Sequence, residues 1–157
     1  MIERIFRLMI FSILMSAPQG HSAELCDIYK TPGDCLRQPE NVLDGLGFVR
    51  SRIHQLSKDN DLTVLETPAS RNPLGLVVYV YIKSNKICGI RYSQSTDISA
   101  MGKSEFDDFK SRVVIYYDES SWIERRSNQG ESRVYDDGKT SIVISHFHVT
   151  FKAKECE

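Results

Sequence analysis

The sequence predicts an α+β fold in which one amphipathic helix, with a short second helix, packs on an antiparallel β-sheet held by two disulfides. Three observations support this: an apolar β-hairpin pattern over residues 74–92, a helical pattern over residues 39–56, and four cysteines. Shorter strand patterns separated by turn residues fill the C-terminal half of the chain. Helix and strand patterns segregated in this way are typical of α+β domains.

The N-terminal 23 residues are predicted to be a signal peptide. Arg4 and Arg7 precede an apolar run from Leu8 to Met15, and small residues follow it. This run is shorter than the roughly 20 residues that a membrane-spanning helix needs. We therefore expect a single periplasmic or secreted domain over residues 24–157, with no membrane attachment after signal cleavage.

The cysteines Cys26, Cys35, Cys88 and Cys156 all follow the predicted signal. Exported thiols tend to oxidise, so two disulfides are expected, although four cysteines permit three pairings. A turn at residues 31–34 brings Cys26 back towards Cys35. We therefore expect Cys26 to pair with Cys35 and Cys88 with Cys156.

The main helix is predicted to begin near Pro39 and to end near residue 58. Its buried stripe recurs at spacings of three and four residues and comprises Val42, Leu46, Val49, Ile53 and Leu56. Gly45 and Gly47 weaken this helix, which must therefore lean on the sheet. A short edge strand over Leu62–Glu66 follows.

The central hairpin is predicted from strict alternation between Leu76 and Lys83, which places Tyr79 and Tyr81 together on the wetter face. A three-residue loop at 84–86 would build one continuous apolar face on the other side. It pairs Ile82 with Cys88, Val80 with Ile90, Val78 with Tyr92, and Tyr79 with Arg91. A two-residue loop would place Arg91 among the aliphatic residues, so we prefer the longer one.

The C-terminal half is predicted to contain a short helix and four strands. The helix begins at Ser104 and carries Phe106 and Phe109. The strands are 112–117, 122–126, 133–135 and 140–151, and Asp137-Gly138 marks a hairpin turn.

Candidate chemistry is sparse, and we assign no catalytic residue, metal or cofactor. His146 and His148 are two apart on a predicted strand and would point the same way, but a metal site needs at least a third ligand. A half-exposed sheet face is the simpler setting for this pair. The chain has no Gly-x-Ser-x-Gly elbow.

The candidate binding residues are aromatic and arginine side chains of the kind enriched at protein interfaces. One group is Trp122 and Arg125 beside two turns, and the other is Tyr79, Tyr81 and Arg91 on the hairpin. The alternative for Trp122 is a place in the core. The chain has 20 basic and 21 acidic residues, and this balance argues against nucleic acid or an anionic membrane as the main partner.

In organisation, an export signal on a small two-disulfide α+β domain without a catalytic signature resembles periplasmic inhibitors and immunity proteins of Gram-negative bacteria. The resemblance implies a non-enzymatic protein that blocks another protein, such as a cell-wall-degrading enzyme or a toxin, by plugging its cleft with a loop. One alternative is a small exported hydrolase or metal-dependent enzyme that uses His146 and His148. Another is a ligand carrier or an envelope assembly factor.

Overall fold

A computed structural model describes residues 26–52, 61–94, 103–127 and 130–156, which form one eight-stranded antiparallel sheet and one long helix. The predicted signal peptide lies outside these residues. The strands are β1 Val49–Arg50, β2 Leu62–Thr67, β3 Val77–Lys83, β4 Lys86–Ser93, β5 Ile123–Ser127, β6 Gly130–Asp136, β7 Thr140–Ile144 and β8 His148–Ala153. The helices are α1 Pro32–Cys35 and α2 Lys103–Tyr116. Among the described residues, neither helix is long and apolar enough to cross a membrane.

The sheet consists of two four-stranded meanders joined along their inner strands. The strand order is β1-β2-β3-β4-β8-β7-β6-β5, with every neighbouring pair antiparallel. Helix α2 follows β4 in the chain and precedes β5 at the far edge of the sheet. Strands β4 and β8 therefore lie at the centre, although about 60 residues separate them in sequence.

The core lies on one face of this sheet. Alternate residues of the four central strands are fully buried there, namely Val78, Val80, Ile90, Tyr92, Ile142, Val149 and Phe151. Helix α2 adds Phe106, Phe109, Val113 and Val114 to the same cluster. The rings of Phe109 and Tyr92 are 5.1 Å apart, and the Tyr92 hydroxyl donates to the carbonyl of Ile28. Each large apolar side chain buried in this way stabilises the fold by about 1.5–3 kcal/mol.

The central hairpin has the predicted pairing over most of its length but a different loop. Val78 pairs with Tyr92, Val80 with Ile90, and Tyr79 with Arg91. The loop has two residues, Ser84 and Asn85, whose φ angles of 51° and 59° are those of a type I′ turn. Ile82 therefore pairs with Ile87 rather than Cys88, and Cys88 is the extra residue of a β-bulge. The bulge restores the apolar face that the short loop alone would break.

The helix predicted from residue 39 onward is wrong where the structure describes it. Residues Glu40–Leu43 form one turn of 3₁₀ helix, and Val49–Arg50 form strand β1. Gly45 and Gly47 have φ angles of 78° and 77°, which an α-helix does not allow. Ile53 and Leu56, the last predicted stripe residues, lie outside the described residues.

The long helix α2 occupies residues that were predicted as a short helix followed by a strand over 112–117. The strand prediction for residues 112–117 is wrong. The β-branched run from Val113 to Ile115 and the aromatic residues after it have a composition typical of strands, but the chain is helical up to Tyr116. In α2, Phe106, Phe109 and Val113 recur at helical spacing and are buried, whereas Ile115 and Tyr116 are 70% and 62% exposed.

The remaining strand predictions hold, with one exception. Strands β2, β5 and β6 include most of the predicted segments 62–66, 122–126 and 133–135. The predicted strand 140–151 is instead two strands, β7 and β8. Ser145 closes the turn between them, because its hydroxyl accepts the backbone N–H of His148 at 3.2 Å.

Both predicted disulfides are confirmed. Cys26 pairs with Cys35 at a Cα separation of 4.8 Å, and Cys88 pairs with Cys156 at 5.6 Å. The first closes the N-terminal loop. The second ties the β4 bulge to the residues that follow β8.

Candidate functional site

The sheet face opposite the core, here called the outer face, carries four of the five predicted binding residues. Pairing across the eight strands forms one continuous row on this face, running Val49, Glu66, Tyr79, Arg91, Thr150, Val143, Val134 and Ile123. Its two ends are apolar and open to solvent, since Val49 is 49% and Ile123 61% exposed. Aromatic and charged groups lie at its centre.

Arg91 is held in place at the middle of this row. Its Nε–H donates to the Thr150 hydroxyl at 3.3 Å, and its guanidinium carbon lies 5.9 Å from the centroid of the Tyr81 ring. A cation over an aromatic face is attracted by the ring quadrupole. A side chain fixed in this way loses less conformational freedom on binding than a free one.

The charge of Arg91 also acts on its neighbours. Burial, and secondly the charge of Arg91, lower the pKa of His148, which favours the neutral imidazole at neutral pH. Burial, followed by Glu66 and Tyr81, raises the pKa of Tyr79, while Arg91 partly opposes this shift. The Tyr79 hydroxyl therefore stays protonated and can donate a hydrogen bond to a partner.

A shallow cavity of about 280 Å³ lies beside Arg91 on the outer face. Its residues include Tyr81, Gly89, Arg91, Thr150, Lys152 and the Cys88–Cys156 bridge. Gly89 is paired with Tyr81 on one side and with Lys152 on the other, so no side chain fills the space between them. A Cβ at Gly89 would lie 3.2 Å from the carbonyl oxygen of Phe151 and 3.4 Å from the Tyr81 ring. We call this cavity the Arg91 hollow.

Trp122 and Arg125 lie on opposite faces of the sheet. Trp122 precedes Ile123 and is half-buried on the core side, where its indole N–H donates to the carbonyl of Val114 at 3.2 Å. Its ring lies 5.7 Å from that of Tyr135. Arg125 is exposed on the edge strand β5 and is paired with Ser132. The structure therefore does not bring these two residues together as one patch.

His146 and His148 do not share a strand face as the sequence predicted. His146 is exposed in the turn between β7 and β8, whereas His148 begins β8 and is half-buried. The Nδ1 atom of His148 lies 2.9 Å from the Ser145 hydroxyl. Within the described ranges, no three histidine, cysteine, aspartate or glutamate side chains are grouped closely enough to hold a metal ion.

A second cavity of about 370 Å³ lies between the N-terminal disulfide loop and α2. Its lining includes the aromatic side chains of Tyr29, Phe109, Tyr117 and Phe151. Lys30 at its rim is already ion-paired with Asp27 at 3.4 Å. A ligand carrier, one of the alternatives raised by the sequence, would seat its ligand here.

Sequence reasoning missed Gly89, Thr150 and Lys152 as members of the site. Alternation along β8 places Thr150 and Lys152 on one face, which was a usable signal. Their position beside Arg91 depends on the pairing of β4 with β8, which no local pattern specifies. Comparison with known protein families, with characterised proteins and with solved structures finds no match to this chain.

Proposed function

We propose that the protein is an exported, non-enzymatic binding protein, an inhibitor or immunity protein that blocks a partner enzyme or toxin in the bacterial periplasm. We further propose that the outer face around Tyr79, Tyr81 and Arg91 is its binding surface. The observation that carries the proposal is the contiguity of these three side chains on the outer face. Tyrosine and arginine dominate the energetics of many protein interfaces.

The position of this surface on paired, disulfide-linked strands favours tight binding. Tyr79, Tyr81 and Arg91 project from central strands, and the Cys88–Cys156 bridge fixes one end of the β4 strand. A preorganised surface loses little entropy on association, so more of the contact energy appears as affinity. This differs from the loop-plugging mode that the sequence led us to expect, because the candidate residues lie on strands.

Site-specific photocrosslinking tests the proposal. A photoreactive phenylalanine at position 79 should crosslink a protein in the envelope of cells that express the full chain. The same group at position 116, exposed on α2, is the matched control and should not. The purified protein should then inhibit the activity of the captured partner. A partner captured equally from both positions, or one whose activity is unaffected, would argue against the proposal.

The enzyme alternative has a separate test. If His146 and His148 were ligands or catalytic groups, changing both to alanine would abolish a hydrolytic activity or the retention of stoichiometric zinc after dialysis. We expect the double variant to retain its fold and its partner binding. Zinc retained by the wild type and lost by this variant would favour the enzyme hypothesis over the inhibitor hypothesis.

A further inference from the structure

We propose that the Arg91 hollow is a receptor for a carboxylate side chain, and that the partner therefore presents an acidic segment to the outer face. The inference rests on the proposed function, because it names the chemistry of the partner at the same surface. Four observations support it.

The first feature is two positive charges that have no acidic partner in the part of the chain that the structure describes. Arg91 is paired with Thr150 across β4 and β8, and Lys152 is paired with Gly89, so the two cations are diagonal neighbours on the same face. Such neighbours lie about 7–8 Å apart. The ion pairs found within the described ranges include neither residue.

The second feature is the orientation of the Arg91 head group. Thr150 occupies the Nε–H and the Tyr81 ring lies at one side, so the two terminal amino groups are the donors left for an acceptor. A carboxylate matches this geometry because its two oxygens can accept a pair of parallel N–H bonds.

The third feature is the glycine floor. Gly89 lies buried at the base of the hollow between Tyr81 and Lys152 and contributes no side chain to it, and glycine inside a strand often marks a place where another molecule approaches closely. The β-bulge at Cys88 lies directly beside it, and bulges recur next to binding and active sites.

The fourth feature is that two other arginines of the sheet are already paired with carboxylates. Arg126 is paired with Glu131 at 2.9 Å, and Arg133 with Glu124 at 3.6 Å. These arginines have their charge balanced within the fold. Arg91 and Lys152, like Arg125 on the same face, have no ion-pair partner within the described ranges, and a negatively charged protein segment would complement them.

The test uses a blocked tetraglutamate peptide as the probe, titrated into the purified protein and followed by ¹H–¹⁵N NMR. The resonances of the Arg91 Nε–H and of the Gly89 and Thr150 amides should shift together. Arg91→Gln and Lys152→Gln should each weaken binding about fivefold, the upper range for a partly exposed ion pair. Arg91→Lys should retain part of the affinity, because it keeps the charge but loses the planar fork.

Arg112→Gln on α2 and Lys139→Gln in the β6–β7 turn are the matched controls, since each removes one exposed positive charge elsewhere. Both should bind the peptide within twofold of wild type. Equal binding by all variants, or no binding by the wild type, would overturn the inference. Inorganic phosphate or phosphatidylglycerol vesicles that bind more tightly than the peptide, with the same loss in Arg91→Gln, would overturn it in favour of a phosphate or lipid site.

The captured partner separates this inference from the proposed function. If Tyr79→Ala weakens partner binding while Arg91→Gln and Lys152→Gln do not, the outer face still binds but the carboxylate inference is wrong. If none of the three variants affects the partner, the outer face is not the binding surface and both proposals are wrong.

Discussion

The structure assigns Trp122 a structural role, and its replacement tests that role directly. Trp122→Phe keeps most of the ring but removes the indole N–H that donates to Val114, which should lower the free energy of unfolding by about 1 kcal/mol. Trp122→Ala also loses the contact with the Tyr135 ring and the apolar area of the indole. Truncating a fully buried tryptophan to alanine lowers the free energy of unfolding by about 3–5 kcal/mol, so truncating the half-buried Trp122 should lower it by about 2 kcal/mol.

Urea unfolding followed by far-ultraviolet circular dichroism measures these changes as shifts of the midpoint at constant slope. Ile123→Ala is the control, because Ile123 is the next residue in the chain, points to the other face and is 61% exposed. It should change stability by less than about 0.5 kcal/mol. A Trp122→Ala variant that is as stable as wild type but loses partner affinity would refute this reasoning, because Trp122 would then be an interface anchor.

Three further results follow from the geometry. Replacing Cys88 and Cys156 by alanine should lower the free energy of unfolding in urea by about 4 kcal/mol, because their bridge closes a loop of 68 residues. Replacing Cys26 and Cys35 should lower it by about 3 kcal/mol, because that loop spans 9 residues. The reverse order would contradict the loop-length argument. Backbone N–H groups of Thr140 and then Lys139 hold the pKa of Asp137 below its usual value, so its contribution to stability is present above about pH 4 and is lost as the pH falls. Between about pH 4 and pH 2, the free energy of unfolding should therefore fall less for Asp137→Asn than for wild type. Parallel curves of unfolding free energy against pH would exclude this role of Asp137. Asn85→Gly should raise stability by about 0.5 kcal/mol, because glycine adopts the positive φ of the hairpin loop without strain, and a lower urea midpoint would exclude a type I′ turn.

Much of the sheet was predictable because its signals are local. Alternation from Val78 to Ile82 defined the buried face of β3, and the turn beside Pro32 indicated the Cys26–Cys35 bridge. The same alternation placed Tyr79 opposite Arg91, which the structure confirms. These inferences needed only the period of a strand and the chemistry of a turn.

The helices were misplaced because local sequence patterns alone could not show which of two segments is helical, the one from residue 39 onward or the one that includes residues 112–117. The stripe through Val42, Leu46 and Val49 had helical spacing, yet Gly45 and Gly47 adopt left-handed backbone angles that break it. The run from Val113 to Tyr117 had strand composition, yet packing of Phe109 and Val113 into the core makes it helical. Tertiary packing overrode local propensity in both segments.

The candidate site was only half predictable, since its members come from strands far apart in sequence. Tyr79, Tyr81 and Arg91 belong to one hairpin and were recognised together. Thr150 and Lys152 join them only through the pairing of β4 with β8, which depends on the whole sheet. Trp122 does not lie with this group, because successive residues of an extended chain point to opposite faces of the sheet and Trp122 points to the core side.

The measurement that most directly tests the outer face as a binding surface is the affinity of the captured partner for two pairs of variants, determined by isothermal titration calorimetry. The first pair is Tyr79→Ala and Arg91→Gln on the outer face. The second pair is Tyr116→Ala and Arg112→Gln on α2, which remove the same residue types from exposed positions elsewhere. We predict a loss of about tenfold or more for each outer-face variant, as for interface hot spots, and less than twofold for each control. Affinities within twofold of wild type for all four folded variants would contradict the account.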